Sequence, residues 1–499
     1  MGLPYGWQSF ICWQGKIRNN LYFMVVFRGF LLFLMGLLLT FNALSQTRQL
    51  VKTDSVFRLI KNHITAKNAD GIYDMAHARF KQSINQSSFK DFLVRDLFSL
   101  GAIKQDSLES FVNNLTASYK ILFDKASMLL SISLANDGKL AYFLLQPYKA
   151  LPTNKTKPVA TSNQLKSQTN KLIDLIARRY IQKPNTAGLA IGTIIDGKSA
   201  TYYYGETELG NGKLPGANTV FEIASISKTF TAAILAWYVN EGKLKLNDPI
   251  IKYLPDTVAA NPALQNITLV NLINHTSGLP SLPLNFSKQK GYTDANPYKS
   301  YNRQMLFAYL KNCTLRSEPG KDYAYSNLGV GLLGVILERV SKKPYQQLVV
   351  EIISKPLAMK NTTQRLSTQA AANLATLYDE EARKTVPWDF DALAACGSLK
   401  STVTDLLLYA KANMIKADNK LSQAFELTHQ VTFAADTPVG LGWHIIKVEG
   451  ISYVYHNGQT SGSSSFLAYN REKNIALVIL SNATASLDAT GVGILKSIQ

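Results

Sequence analysis

The sequence predicts an α+β protein: a small N-terminal α+β domain, then a larger domain built as an antiparallel sheet flanked by helices, with an all-helical subdomain between its sheet segments. Three observations carry that prediction. First, two strand pairs are each closed by an Asp-Gly turn. MLLSISLA and KLAYFLLQ flank Asn136-Asp137-Gly138, and GLAIGTII and SATYYYGE flank Asp196-Gly197. Such dipeptides supply the positive φ angles that a tight hairpin needs. Second, strand patterns return at the very end of the chain, in SSFLAY and IALVILSN, while the stretch before them reads mostly as helix. One sheet must then be assembled from both ends of the second region. Third, the segment Ala150 to Asn163, ALPTNKTKPVATSN, lacks any apolar period and reads as a linker.

Taken in order, the chain opens with Lys16, Arg18 and Arg28 ahead of an apolar run from Phe30 to Phe41, which closes on Ala43-Leu44-Ser45 before Gln46. That is the pattern of a signal peptide over residues 1–45, with Met24 as an alternative start. An uncleaved anchor from Leu21 to Phe41 is the other reading, and Arg28 within that span weighs against it. Residues 46–149 combine helical patterns (Val56, Leu59, Ile60; then Leu108, Phe111, Leu115) with the first hairpin. This small α+β unit is similar to the nuclear-transport-factor-2-like domains that precede hydrolase domains in some exported proteins. The resemblance implies a spacer or dimerisation module, with ligand binding as the alternative. The second domain, residues 164–499, begins with the helix KLIDLIARRYI, continues into the second hairpin, and ends with a helix from about Ser486.

Composition narrows the function. The net charge of +19 suits a nucleic-acid binder, yet Lys and Arg are scattered with no dense basic run among aromatics. The charge is read as solubility or attraction to an anionic envelope surface, with no nucleic-acid partner. Cys12, Cys313 and Cys396 show no metal or redox spacing and are read as unpaired core residues, with a Cys313–Cys396 bridge as the alternative. The six histidines show no ligand spacing, so neither a metal nor any other cofactor is expected, and no G-x-S-x-G elbow occurs.

The chemistry centres on FEIASISKTFTAAILAWYVNEGKL, Phe221 to Leu244. Apolar residues crowd nearly the whole circumference after Ser225, so the helix should be buried, and a buried helix has little reason to hold a lysine. Ser225 and Lys228 stand three apart and share one face, which lets a desolvated amine activate the hydroxyl, whereas Ser227 points elsewhere. A helix cap with a snorkelling lysine is the bland alternative. Tyr325-Ser326-Asn327 follows Pro319-Gly320 and precedes the helical pattern LGVGLLGVILERV, placing a phenol and an amide on a loop at a helix start. His456-Asn457-Gly458 lies on a strand starting at Ile451, where glycine allows a substrate to approach the strand edge and its N–H donors.

Serine-lysine, then tyrosine-asparagine, then a strand motif with glycine is the order found in serine β-lactamases, D-alanyl-D-alanine peptidases and related esterases. FEIASISKTFTA, LNDPIIKYLP, TLVNLINHTSGLP, PGKDYAYSNLGVGLLGVILE, CGSLKSTVTDL and GLGWHI resemble the class C branch of that family, over about Gln164 to Gln499. The resemblance implies Ser225 as the acylated nucleophile, Lys228 as its base, Tyr325 as proton relay and Asn327 as a contact to the substrate amide. It also implies an oxyanion hole formed by the N–H groups of Ser225 and Gln459, with His456 and Gly458 on the substrate-binding strand. The stretch His275-Thr276-Ser277-Gly278 is read as a structural turn. Class C β-lactamases carry Lys-Thr-Gly where this chain has His456-Asn457-Gly458, and a mostly neutral histidine is a poorer carboxylate anchor. The expected function is therefore an exported serine hydrolase of esters, small amides or D-amino-acid peptides. A β-lactamase or penicillin-binding peptidase is second, and a non-catalytic wall-binding or sensor protein is the alternative of another class.

Overall fold

The structure is a computed structural model describing residues 52–112, 116–135, 137–148, 159–434 and 437–499. The expected leader, with its cleavage pattern, and most of the linker lie outside these residues. The chain divides into two compact units, Met1–Ala150 and Leu151–Gln499.

In the first unit, helices at 52–65, Ala69–Asp74, Ala78–Ser83 and Gln86–Phe92 precede four antiparallel strands. These are β1 (Ile103–Val112), β2 (Thr116–Phe123), β3 (Ser127–Leu134) and β4 (Leu140–Pro147), ordered β1-β2-β3-β4. The expected first hairpin is β3–β4. Phe57, Ile60 and Phe89 from the helices bury against Tyr119, Ile121, Leu130 and Ile132 of the sheet. One expectation fails: Leu108 and Phe111, read as helical, lie in β1, opposite Tyr119 and Ala117, while Leu115 lies outside the described residues. A bulge between Leu108 and Ser110 interrupts the two-residue alternation that marks a strand. What remains by eye is a three-residue spacing that imitates a helix.

In the second unit six strands form an antiparallel sheet ordered β11-β12-β13-β14-β5-β6. They are β5 (Gly188–Ile195), β6 (Lys198–Gly205), β11 (His444–Val448), β12 (Ile451–Gln459), β13 (Ser464–Asn470) and β14 (Ile475–Ser481). Two short pairs complete the set: β7 (Phe221–Glu222) with β10 (Lys400–Ser401), and β8 (Leu377–Tyr378) with β9 (Lys384–Thr385). The β14–β5 pairing joins the chain's end to the start of this unit, as the strand patterns at both ends require. Asp196 (φ 49°) and Gly197 (φ 78°) close the β5–β6 hairpin with positive φ at both positions. Helices cover both faces, which is why β5 and β14 read as almost unbroken apolar runs. Leu189 and Ile191 pack with the helices Gln168–Ile181 and Asp488–Ser497, while Ala190 and Ile194 share a core with Phe230 and Leu407. From Ser227 to Ala371 every named element is helical.

Residues 160–163, read as the end of the linker, run along β6. Ser162 N–H donates to Tyr203 O (3.1 Å), Gly205 N–H donates to Ala160 O (3.0 Å), and Asn163 Nδ2 donates to the Tyr204 hydroxyl (2.8 Å). Cys313 and Cys396 are separate buried thiols.

Candidate active site

β7 runs into a single 3₁₀ turn, Ala224–Ile226, and then into the helix Ser227–Asn240. Ser225 therefore sits on the turn that feeds the helix rather than within the helix proper. Ala224 is held at φ 45°, a conformation costly for alanine, and this sharp corner leaves Ser225 half-buried while Ala224, Ile226 and Ser227 are buried. Ser227 Oγ accepts from Leu399 N–H (3.0 Å), so this second serine is occupied in the scaffold.

Lys228 is 0 % exposed, and among the described residues no carboxylate pairs with it. Its Nζ donates to three oxygens: Ser225 Oγ (2.9 Å), Asn327 Oδ1 (2.7 Å) and the carbonyl of Cys396 (2.6 Å). Asn327 donates its amide Nδ2 to the Tyr298 hydroxyl at 3.3 Å. Tyr325 precedes Ser326, the N-cap of the helix Asn327–Ser341, and its ring centre lies 4.8 Å from Lys228 Nζ. Ser225, Lys228, Tyr325 and Asn327, spread over about a hundred residues of sequence, thus meet at one point.

The strand β12 supplies the other wall. A Cβ built on Gly458 would stand 2.6 Å from Ile223 O and 2.7 Å from Ser225 N, so this glycine lets the strand close on the backbone of Ser225. Beside the substrate access expected of it, this glycine also meets the close approach of the turn that bears Ser225. His456 is 1 % exposed and donates Nδ1–H to the carbonyl of Asn457 (2.6 Å), leaving Nε2 buried without a partner. Burial holds its imidazole well below the ordinary histidine range, and His444 and Lys228 push the same way. Asn457 Nδ2 donates to Asp488 Oδ1 (2.8 Å), and Gln459 Nε2 donates to Thr484 O (2.5 Å), so both side chains are engaged at the C-terminal segment.

Several groups at the site were not given to it from sequence, His275 having been read as part of a structural turn. His275 packs 4.3 Å from the Tyr325 ring, and His444 bonds to the Tyr323 hydroxyl at 2.8 Å and lies 5.3 Å from the ring of His456. Both lie in stretches quoted above, HTSG and GLGWHI, but the contacts of His275 with Tyr325 and of His444 with Tyr323 and His456 depend on loop packing that spacing does not express. A buried Glu222–Lys400 pair (4.0 Å) grips the backbone of Trp388: Glu222 Oε1 accepts its N–H (2.7 Å) and Lys400 Nζ donates to its carbonyl (2.9 Å). Burial pushes the Glu222 carboxyl up and the Lys400 amine down, each partly offset by the other. Trp388 Nε1 in turn donates to Ser461 Oγ (2.8 Å), beyond the end of β12, and its ring lies 5.2 Å from that of Tyr298.

The sequence pattern of the beta-lactamase family matches residues 173–493, which include every one of these groups. The chain belongs to the beta-lactamase family. Among relatives of this family, a beta-lactamase of Pseudomonas fluorescens is 28% identical over 348 residues, covering 62% of this chain and 93% of its own. The D-alanyl-D-alanine-carboxypeptidase/endopeptidase AmpH of Escherichia coli is 31% identical over 331 residues, covering 62% and 83%. A crystal structure of a beta-lactamase/D-alanine carboxypeptidase from Pseudomonas syringae superposes with a TM-score of 0.59 at 24% identity, covering 66% of this chain and 98% of its own. A class C beta-lactamase gives 0.60 at 24%, covering 68% and 98%. The protein is accordingly a serine hydrolase working through an acyl-enzyme, and the non-catalytic alternative falls away.

Proposed function

We propose that the protein hydrolyses esters or small amides, including D-amino-acid peptides, in preference to β-lactams. The observation that carries this reading is the buried, uncharged His456 on β12, where a β-lactamase of the class C pattern would offer a lysine to the substrate carboxylate. Its neighbour Asn457 is bonded to the carboxylate of Asp488, which adds negative charge beside the strand.

In this reading Ser225 Oγ attacks the carbonyl carbon. The 2.9 Å contact to Lys228 Nζ carries the serine proton away once the lysine is in its neutral form, which reverses the direction of that hydrogen bond. The N–H groups of Ser225 and Gln459 receive the oxyanion, and Asn327 contacts the acyl amide. Tyr325, over Lys228, returns the proton to the leaving group, after which water repeats the sequence on the acyl-enzyme. The same reading places the mature protein outside the cytoplasm, beginning at Gln46, with the first unit as a spacer or dimerisation module similar to nuclear-transport-factor-2-like domains. Among the described residues no helix is long and apolar enough to cross a membrane.

Turnover of p-nitrophenyl acetate is compared with that of a chromogenic cephalosporin for the wild type and for Ser225→Ala. The ester is expected to be the better substrate and its turnover to vanish with Ser225. A cephalosporin kcat/KM above that of the ester would reverse the assignment to a β-lactamase.

A further inference from the structure

The turn at His275 holds the whole Tyr325 loop. His275 has φ 64°, is 1 % exposed, and places its Nδ1 as acceptor for the Ser326 N–H at 3.2 Å. Its carbonyl accepts from Ala324 N–H (2.8 Å), and the next carbonyl, of Thr276, accepts from Gly320 N–H (2.7 Å). Further along the turn, Gly278 O accepts from Arg316 N–H (2.8 Å), Pro280 O from the Ser326 hydroxyl (2.7 Å) and Ser281 O from Leu328 N–H (3.0 Å). Residues on both sides of Tyr325 are thus bonded to this turn. The imidazole contributes the bond adjacent to Tyr325 and the surface on which the phenol ring rests, at 4.3 Å and 38°. A ring that only filled space would not need to accept from Ser326, since a buried nitrogen bonded in this way must keep its lone pair. The second ring nitrogen, Nε2, is buried with no partner of its own.

We propose that His275 is a positioning residue for Tyr325: by accepting from Ser326 N–H and backing the phenol, it fixes the relay over Lys228. This rests on the role given to Tyr325 in the proposed function. It differs from a purely structural turn in predicting that turnover depends on the Nδ1 acceptor itself. Asparagine offers an amide oxygen near the place of Nδ1, whereas glutamine offers its polar end near the place of Nε2.

Steady-state hydrolysis of p-nitrophenyl acetate by the full chain is measured for wild type, His275→Asn, His275→Gln and Tyr325→Phe, with thermal melting alongside. His275→Gln should lower kcat by about ten- to a hundredfold with KM changed by less than about threefold, because a misplaced relay slows chemistry more than binding. His275→Asn should lose less than about tenfold, at a similar melting temperature. Equal kcat in the two variants, a wild-type kcat in both, or losses that follow the melting temperature would overturn the proposal. Should His275→Gln fail to fold, His275→Phe takes its place: it keeps a ring against Tyr325 but lacks the Nδ1 acceptor for Ser326 N–H, and a wild-type kcat in it would overturn the positioning role. A slow Tyr325→Phe with unaffected His275 variants removes only this inference. A wild-type Tyr325→Phe removes the underlying relay.

Discussion

Gly458 shows how little room the site leaves. A methyl group there would press on Ile223 O and Ser225 N at 2.6 and 2.7 Å, both backbone atoms that cannot swing aside. Gly458→Ala should therefore shift the Ser225 N–H out of oxyanion range and lower kcat by about a hundredfold, the usual loss for one oxyanion donor. Comparable kcat for this variant and wild type on p-nitrophenyl acetate would show that the turn bearing Ser225 has slack. At His456, substitution by lysine supplies the cation that the strand lacks. His456→Lys should raise the ratio of cephalosporin to ester kcat/KM by about tenfold, and an unchanged ratio would detach His456 from specificity. His444 gives a pH prediction. Burial, aided by Lys228, pushes its imidazole down to about 4. The unfolded chain then binds the proton more readily, so the stability is fully present above the ordinary value near 6.5 and is lost as pH falls toward about 4. At pH 5 this amounts to at most about 2 kcal/mol relative to pH 7. Denaturant midpoints of wild type and His444→Gln at the two pH values should differ by that increment, and parallel changes would remove it.

Among the elements, the short pair β7–β10 does more than its two residues of length suggest. β7 carries Glu222, three residues before Ser225, and β10 carries Lys400; together they fix Trp388, while Thr460 Oγ1 donates to Glu222 Oε2 (2.8 Å) just past β12. The turn bearing Ser225, the Trp388 loop and the end of β12 are thereby tied through one buried carboxyl. Removing only the cation leaves Glu222 buried without its counter-charge, so Lys400→Met should cost about 3 kcal/mol, and adding Glu222→Gln should recover much of it. Chemical denaturation of the single and double variants measures this, and a double variant no more stable than Lys400→Met would show that the ion pair is not the source of the loss.

For the whole molecule, the boundary of the catalytic unit matters. Residues 160–163 hydrogen-bond along β6, the edge of the six-stranded sheet, and Arg178 reaches back to Val159 O at 3.2 Å. A chain beginning at residue 159 should fold and keep ester turnover, since every site group named above lies within Leu151–Gln499. A chain beginning at Gln164 loses these hydrogen bonds and uncovers β6, at a cost of about 2–4 kcal/mol by the usual worth of each bond. Equal melting of the two chains would show that the segment adds nothing. Loss of turnover in a folded chain from residue 159 would assign the first unit a part in the site.

The sequence by itself determined what is local or periodic. Both Asp-Gly hairpins, the buried helix after Ser225, the loop bearing Tyr325 and the strand bearing His456 each leave a pattern of turn residues or apolar spacing. It also ordered Ser225, Lys228, Tyr325, Asn327 and Gly458 as one set, because their types make sense only together. The tertiary structure decided the rest, for reasons of distance and packing. The packing of His275 on Tyr325, the approach of His444 to Tyr323 and His456, the capture of Lys228 by the Cys396 carbonyl and the grip of Glu222 and Lys400 on Trp388 join residues far apart in the chain. β1 was hidden for a local reason, since its bulge breaks the alternation by which a strand is known. A carbonyl that binds an amine, or a glycine that admits a neighbouring backbone, has no signature in residue type, because its role is set by which distant atom the fold brings within about 3 Å.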